Sequence, residues 1–143
     1  MVDETAGMVL RPSLSAAAAE RILDAAVREA QAMSIAVTVV AVDESGVLKA
    51  MRRMDGAPLV SVQTALNKAY AAAAIGIPPD DFYDAIQADA AAVAEFATRP
   101  GLALIAGGLP VLADGQPAGA VGVAGAMTAA DDRRIAEVAC RAA

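Results

Sequence analysis

Two polar turns set between apolar extended runs constrain this chain most. Ile35 to Val42 is a β-branched run, Asp43-Glu44-Ser45-Gly46 has turn chemistry, and Val47 to Arg53 resumes an extended pattern, which together predict a hairpin. Asp114-Gly115 lies between Val111–Ala113 and Ala118–Ala124, and Asp-Gly is a strong signal for a tight reversal. Leu102 to Ala106 leads through Gly107-Gly108-Leu109-Pro110 into this second hairpin.

Helical periodicity fills the intervals. From Leu14 to Met33, Glu20, Asp24, Arg28 and Gln31 recur on one side and leave Ile22, Leu23, Ala26, Val27, Ala30 and Met33 as an apolar face, the pattern of an amphipathic helix. Ser13 or Ser15 is placed to cap it, and Asp24 precedes Arg28 in the favourable order for a surface pair. Ser61 to Ala74 reads as an alanine-rich helix ending near Gly76, since Pro78 and Pro79 forbid continuation. Asp81 to Ala97 reads as another, with Asp80 as its cap and Arg99-Pro100-Gly101 as its stop. Thr128-Ala129-Ala130-Asp131 resembles a capping box and opens a last helix through about Arg141, with Ile135, Val138 and Ala139 inward. This order predicts an α+β fold, an antiparallel sheet with helices packed against it, rather than a doubly wound parallel sheet.

The 143 residues suit one domain. Residues 1–12 read as a flexible N-terminal arm, and 13–143 as the domain. The composition is 57% hydrophobic but 3% aromatic, so Ala, Val, Leu, Ile and Met must fill the core and helices can approach closely. Eleven Lys+Arg against seventeen Asp+Glu give a net charge of −6, which argues against nucleic acid because no cation excess exists to displace counterions. A single cysteine, Cys140, and an N-terminus without a basic-then-apolar plan point to the cytoplasm. No long uncharged apolar run suggests a membrane span, and the surplus apolar surface points to contact with other subunits.

With no histidine, Ser-His-Asp and Cys-His arrangements are impossible within the chain. Gly119, Gly122 and Gly125 recur at every third residue and match no nucleotide-binding motif; they allow another backbone, a helix or a flat ligand to approach. Arg52-Arg53-Met54-Asp55-Gly56 places two guanidiniums and a carboxylate at a strand end, where an anionic ligand can be held; alternatively Arg52 is solvated, Arg53 pairs with Asp55 or a neighbouring carboxylate, and Gly56 makes the turn. Lys68 either snorkels to the surface or sits buried with a lowered pKa, as a lysine base or nucleophile requires. Ser61, Ala65, Lys68, Ala69 and Ala72 share one helix face, so Ser61 and Lys68 can address one cavity. Gly107-Gly108 can present amides to a carboxylate or enolate oxygen, or merely make a tight strand entry. Asp80, Asp81 and Asp84, like Asp131 and Asp132, sit at helix starts, where the macrodipole favours them, and no metal site is read from them. Cys140 reads as an inert small hydrophobe.

These residues resemble the GlcG/HbpS family, a haem-binding-like group similar also to the C-terminal domain of PduO-type proteins. The resemblance, from about Leu14 to Ala139, rests on the Val42-Asp43…Gly46 turn, on Arg53-Met54-Asp55-Gly56-Ala57 with Ser61, Ala65, Lys68 and Ala69, and on Gly107-Gly108-Leu109-Pro110, Asp114-Gly115 and Gly119-Ala120-Val121-Gly122-Val123. The family's Gly-Val-Ser-Gly-Gly stands here as Gly122-Val123-Ala124-Gly125-Ala126, with Met127 inserted before Thr128. The resemblance implies a profilin-like or PAS-like antiparallel sheet of about five strands flanked by helices, assembled as a homo-oligomer. It implies haem as a possible cofactor; without histidine, iron would be met by Met, Tyr, Lys or Cys.

Two functions follow as expectations. The first is a small-molecule binding protein for haem or a flat acidic or aromatic ligand, held by Arg53, Gly56, Gly107, Gly108, Gly122 and Gly125. The alternative is a cofactor-independent isomerase, hydratase or C–C lyase acting on a small carbonyl or carboxylate compound, with Lys68, Asp55 and Ser61 as catalytic residues and Arg53 holding the anion.

Overall fold

The computed structural model describes residues 7–143; part of the expected N-terminal arm lies outside the described residues. The chain forms α1 (Ala16–Ala32), β1 (Thr38–Asp43), β2 (Leu48–Arg53), α2 (Val60–Ile75), α3 (Pro79–Ile86), α4 (Ala90–Ala97), β3 (Gly108–Ala113), β4 (Gln116–Ala124) and α5 (Ala129–Cys140). Both turn signals make hairpins, and the hairpins pair through β1 and β4 into one antiparallel sheet of order β2-β1-β4-β3. Among the described residues four strands form rather than about five, and the segment from Leu102 to Gly107 contributes none.

The central strands divide their side chains between two helical layers, as alternation along a strand requires. Val39, Ala41, Val121 and Val123 face α1 and α5, meeting Ile22, Leu23, Ala26, Ile135 and Ala139. Val40, Val42, Ala120 and Ala124 face α2, meeting Ala65, Ala69 and Ala72. Burial of each Ile, Leu or Val stabilises by about 1.5–3 kcal/mol relative to exposure. The alanine side of the core has less to bury and gains instead by proximity. A Cβ on Gly122 would lie 2.1 Å from the carbonyl oxygen of Ala65 and 2.6 Å from the amide nitrogen of Ala69, so the α2 backbone occupies the space a side chain would need.

A bulge at Lys49 shifts the β1–β2 register between Ala41 and Val42. It puts Leu48, Met51 and Arg53 opposite Val42, Val40 and Thr38, all on the α2 side.

Capping follows the sequence with two departures. Ser15 accepts from the Ala18 amide, and Thr128 from the Asp131 amide. The single helix expected over 81–97 is two, because Asp89 turns its carboxylate onto the amides of Ala91 and Ala92 and starts α4 afresh. Asp80 does not cap α3; it lies in the first turn and pairs with Arg133 of α5. Asp24 is paired with Arg52 at 2.6 Å rather than with Arg28, and Arg52 also reaches Glu20. That exposed network ties β2 to α1, and the Arg52 hydrogen bond holds the Asp24 carboxyl below its ordinary value. Among the described residues, no helix is long and apolar enough to cross a membrane.

Candidate functional site

Helix α2 buries Ser61, Ala65, Lys68, Ala69 and Ala72 together, the face its spacing defines. Lys68 is only 1% exposed, so its stem does not carry the charge to the surface. It runs to the end of β4, where Nζ donates to the Val123 carbonyl at 3.0 Å and to Asp132 Oδ2 at 2.8 Å. The Val123 amide is held by the Gly107 carbonyl at 2.9 Å. In an antiparallel ladder the N–H and C=O of one residue point to the same neighbour, but β3 does not extend far enough to serve this carbonyl. Lys68 supplies the missing donor.

Asp132 lies in the first turn of α5, and its other oxygen accepts from the Ala126 amide at 3.0 Å. The ion pair therefore joins helices on opposite faces of the sheet around a strand end. Burial pushes the Asp132 carboxyl above its ordinary value, while Lys68 and the Ala126 amide, which favour the carboxylate, offset part of that. Beside the pair, the Ser61 hydroxyl donates to the Pro58 carbonyl at 2.6 Å. With that proton committed, Thr38 donates to Ser61 at 2.8 Å.

Above these groups opens a pocket of about 320 Å³ lined by Ser61, Thr64, Lys68, Gly125, Ala126 and Asp132, with Val60, Ile105 and Met127 on its rim. The rim is strongly exposed, Val60 at 72% and Met127 at 97%, so a polar floor sits beneath an apolar mouth.

The glycines sort by what faces them. Gly107, at φ +123, has Lys68 Nζ at 2.7 Å from where its Cβ would stand. A Cβ on Gly108 would stand 2.4 Å from the Lys68 carbonyl oxygen, and one on Gly122 would meet the α2 backbone. A Cβ on Gly125 would stand 2.8 Å from the Ala36 carbonyl oxygen, and Gly125 lines the pocket.

Arg53 donates through Nε and a terminal nitrogen to the Ala57 carbonyl at 3.2 and 2.8 Å. Arg53 and Asp55 line a different hollow, of about 370 Å³, with Val27, Gln31, Arg52 and Met54; Gly56, at φ +88, makes the following turn. The structure thus gathers Ser61, Lys68 and Gly125 and sets Arg53, Asp55 and Gly56 apart. A third hollow of about 300 Å³, around Tyr70, Leu66 and Val42, has no charged side chain in its lining.

Sequence reading missed Asp132 as the partner of Lys68, and Thr38 as that of Ser61. A signal for Asp132 existed: Asp132, Ile135, Ala136 and Ala139 form the buried face of α5, so a carboxylate was in step with the inward residues. Cys140 packs against the α1–α5 core, with its thiol pushed up to about 12, chiefly by burial.

Fold and site together define a small histidine-free α+β domain that shelters a buried lysine–carboxylate pair under an open, apolar-rimmed pocket. The chain belongs to the HbpS-like family: the family described as haem degrading protein HbpS-like matches residues 14–141. It is 37% identical over 130 residues to an uncharacterised 15.0 kDa protein of Citrobacter freundii, covering 89% of each chain. It is 35% identical over 110 residues to the protein GlcG of Escherichia coli, covering 77% of this chain and 80% of the relative. Among solved structures, Streptomyces reticuli HbpS, as a double mutant, superposes with a TM-score of 0.86 at 28% identity over 99% of this chain and 94% of the other. A PduOC:heme complex superposes at 0.83 and 29% identity, covering 92% and 95%.

Proposed function

We propose that this chain is a small-molecule binding protein whose ligand, flat and largely apolar, lies in the pocket above Lys68 and Asp132. The observation that carries the reading is the combination found in that pocket: buried ionisable groups on the floor and exposed Val60, Ile105 and Met127 at the mouth. Ligand pockets are mostly apolar with a few placed polar groups, in the range of about 300–1,000 Å³. The solved complex of PduOC with heme supports the reading at the level of ligand class. The alternative of a cofactor-independent enzyme asks Arg53, Asp55 and Lys68 to meet one substrate, and their division between two hollows favours binding.

Haem iron fits this pocket poorly. Of the residue types left to ligate it, only Lys68 and Met127 line the pocket. Lys68 is committed to Asp132 and Val123, which leaves Met127, 97% exposed at the rim, as the one side chain of the pocket that iron could meet. Tyr70 lines another hollow, and Cys140 belongs to the other core layer.

We read the chain also as a homo-oligomer. Leu48, Met51, Leu59 and Tyr70 are exposed apolar residues of β2, α2 and the α2 approach, more than single scattered surface residues need. The mass from light scattering tests this, a monomer at about micromolar concentration being the contrary result.

The test of the site is a thermal-shift screen of flat aromatic compounds and hemin on the wild type, Thr64→Phe and Arg53→Ala. Thr64→Phe puts a ring into the pocket and abolishes the stabilisation, whereas Arg53→Ala leaves it. Stabilisation that survives Thr64→Phe sinks the assignment. A shifted Soret band that is lost in Met127→Leu overturns the conclusion on iron.

A further inference from the structure

The chemistry of the pocket floor narrows the ligand. An ammonium has three protons, and Lys68 spends two on Asp132 and Val123. The third has no protein acceptor among the described residues, and Lys68 lines the pocket. Among the side chains of the floor, Lys68 thus offers one donor to an incoming molecule. Thr64 and Ser61 offer none, since their hydroxyl protons go to the Val60 and Pro58 carbonyls.

The charge of that donor is already balanced by Asp132, and the anion-favouring N-terminus of α5 already holds Asp131 and Asp132 in its first turn. The charges acting on Asp132 are Lys68 from α2 and Asp131 on its own helix; the turn before α5 brings the Ala126 amide, and no charged residue of β4 or of the Ile105 segment lines the pocket. Arg133, the next residue, is turned toward Asp80, Asp81 and Glu137. A carboxylate arriving at Lys68 would make two carboxylates share one ammonium, with the ion pair 1% and 6% exposed. Like charges that close in a desolvated site do not both stay ionised. The site must then take up a proton or refuse the anion. An uncharged carbonyl meets neither obstacle: it accepts the free N–H and leaves the ion pair intact.

We infer that the buried end of the ligand is an uncharged hydrogen-bond acceptor of the ketone, ester or quinone class, and that an acid enters end-on only with uptake of a proton; any acidic group of the natural ligand lies at the mouth. This rests on the pocket assignment above and names the chemical class of its ligand.

The experiment is calorimetric titration of the intact protein with the matched probes acetophenone and benzoate. Near pH 7 acetophenone binds at least about tenfold more tightly than benzoate, and such benzoate binding as occurs tightens about tenfold per pH unit of acidification, as one linked proton requires. In Asp132→Asn, checked for a cooperative melt, the floor gains a net positive charge; the preference narrows or reverses, and benzoate binding loses its pH dependence. Benzoate binding as tightly as acetophenone to the wild type with no proton uptake overturns the inference, and this arm needs no variant. So does an unchanged preference in folded Asp132→Asn. If neither probe binds at millimolar concentration, the small-molecule reading itself fails, and this inference with it.

Discussion

Removing Lys68 tests whether the ion pair is a buried charge pair or an incidental contact. In Lys68→Met a side chain of similar length fills the channel past Gly107, but Asp132 keeps only the Ala126 amide and the Val123 carbonyl loses its donor. Breaking a buried pair by removing one partner costs about 3–5 kcal/mol. At roughly 3–5 °C per kcal/mol for a domain of this length, the melting temperature falls by about 10–20 °C. The deficit must also depend on pH. The Asp132 carboxyl already lies above its ordinary 3.8 in the folded chain, and loss of Lys68 removes the group that most opposes that rise. A carboxyl raised by folding favours the native state below its unfolded pKa and disfavours it as pH climbs through the folded value. The deficit is therefore larger near pH 7 and shrinks as pH falls toward the ordinary 3.8 and Asp132 takes a proton. Lys68→Met/Asp132→Asn, which removes both charges, recovers about half of the loss. Urea unfolding of the three proteins at the two pH values measures all of this. A deficit below about 1 kcal/mol, or one equal at both pH values, refutes the account, because a surface pair behaves that way.

Gly122→Ala brings a Cβ to 2.1 Å from the Ala65 carbonyl oxygen, and overpacking of that kind costs at the upper end of about 1–3 kcal/mol. Gly115→Ala, in open space at φ +79, pays left-handed backbone strain alone, about 1–2 kcal/mol; if the two lose equal stability in denaturant, close approach of α2 is not what Gly122 provides. The Cys140 thiol, raised to about 12, reacts with a disulfide reagent at least about a hundredfold more slowly than a free thiol near pH 8. Its raised value adds no instability below pH 9.0, and stability is lost as pH rises from there toward about 12; labelling at the free-thiol rate contradicts the burial.

What the sequence carried locally came through as local structure. The hairpin turns, the Ser15 and Thr128 caps, the apolar faces of α1 and α2 and the family marks are set by residues within a few positions of one another, where propensity and spacing act directly. The break between α3 and α4 was also local, in the Asp89 carboxylate, but helical periodicity continued across it and hid it. Lys68 was legible as a candidate and not as a buried one, since its fate depends on an acceptor 64 residues away.

Only the packed chain settled which candidates meet. Arg53, Asp55 and Lys68 are close enough in sequence to suggest one site, yet Arg53 leaves the edge strand toward Ala57 while Lys68 passes under the sheet end to Asp132. Sequence spacing fixes the face a side chain takes on its own element. The partner it finds there depends on how closely two elements approach, and here that distance was set by Gly107, Gly108 and Gly122, whose missing side chains let α2 and its lysine in.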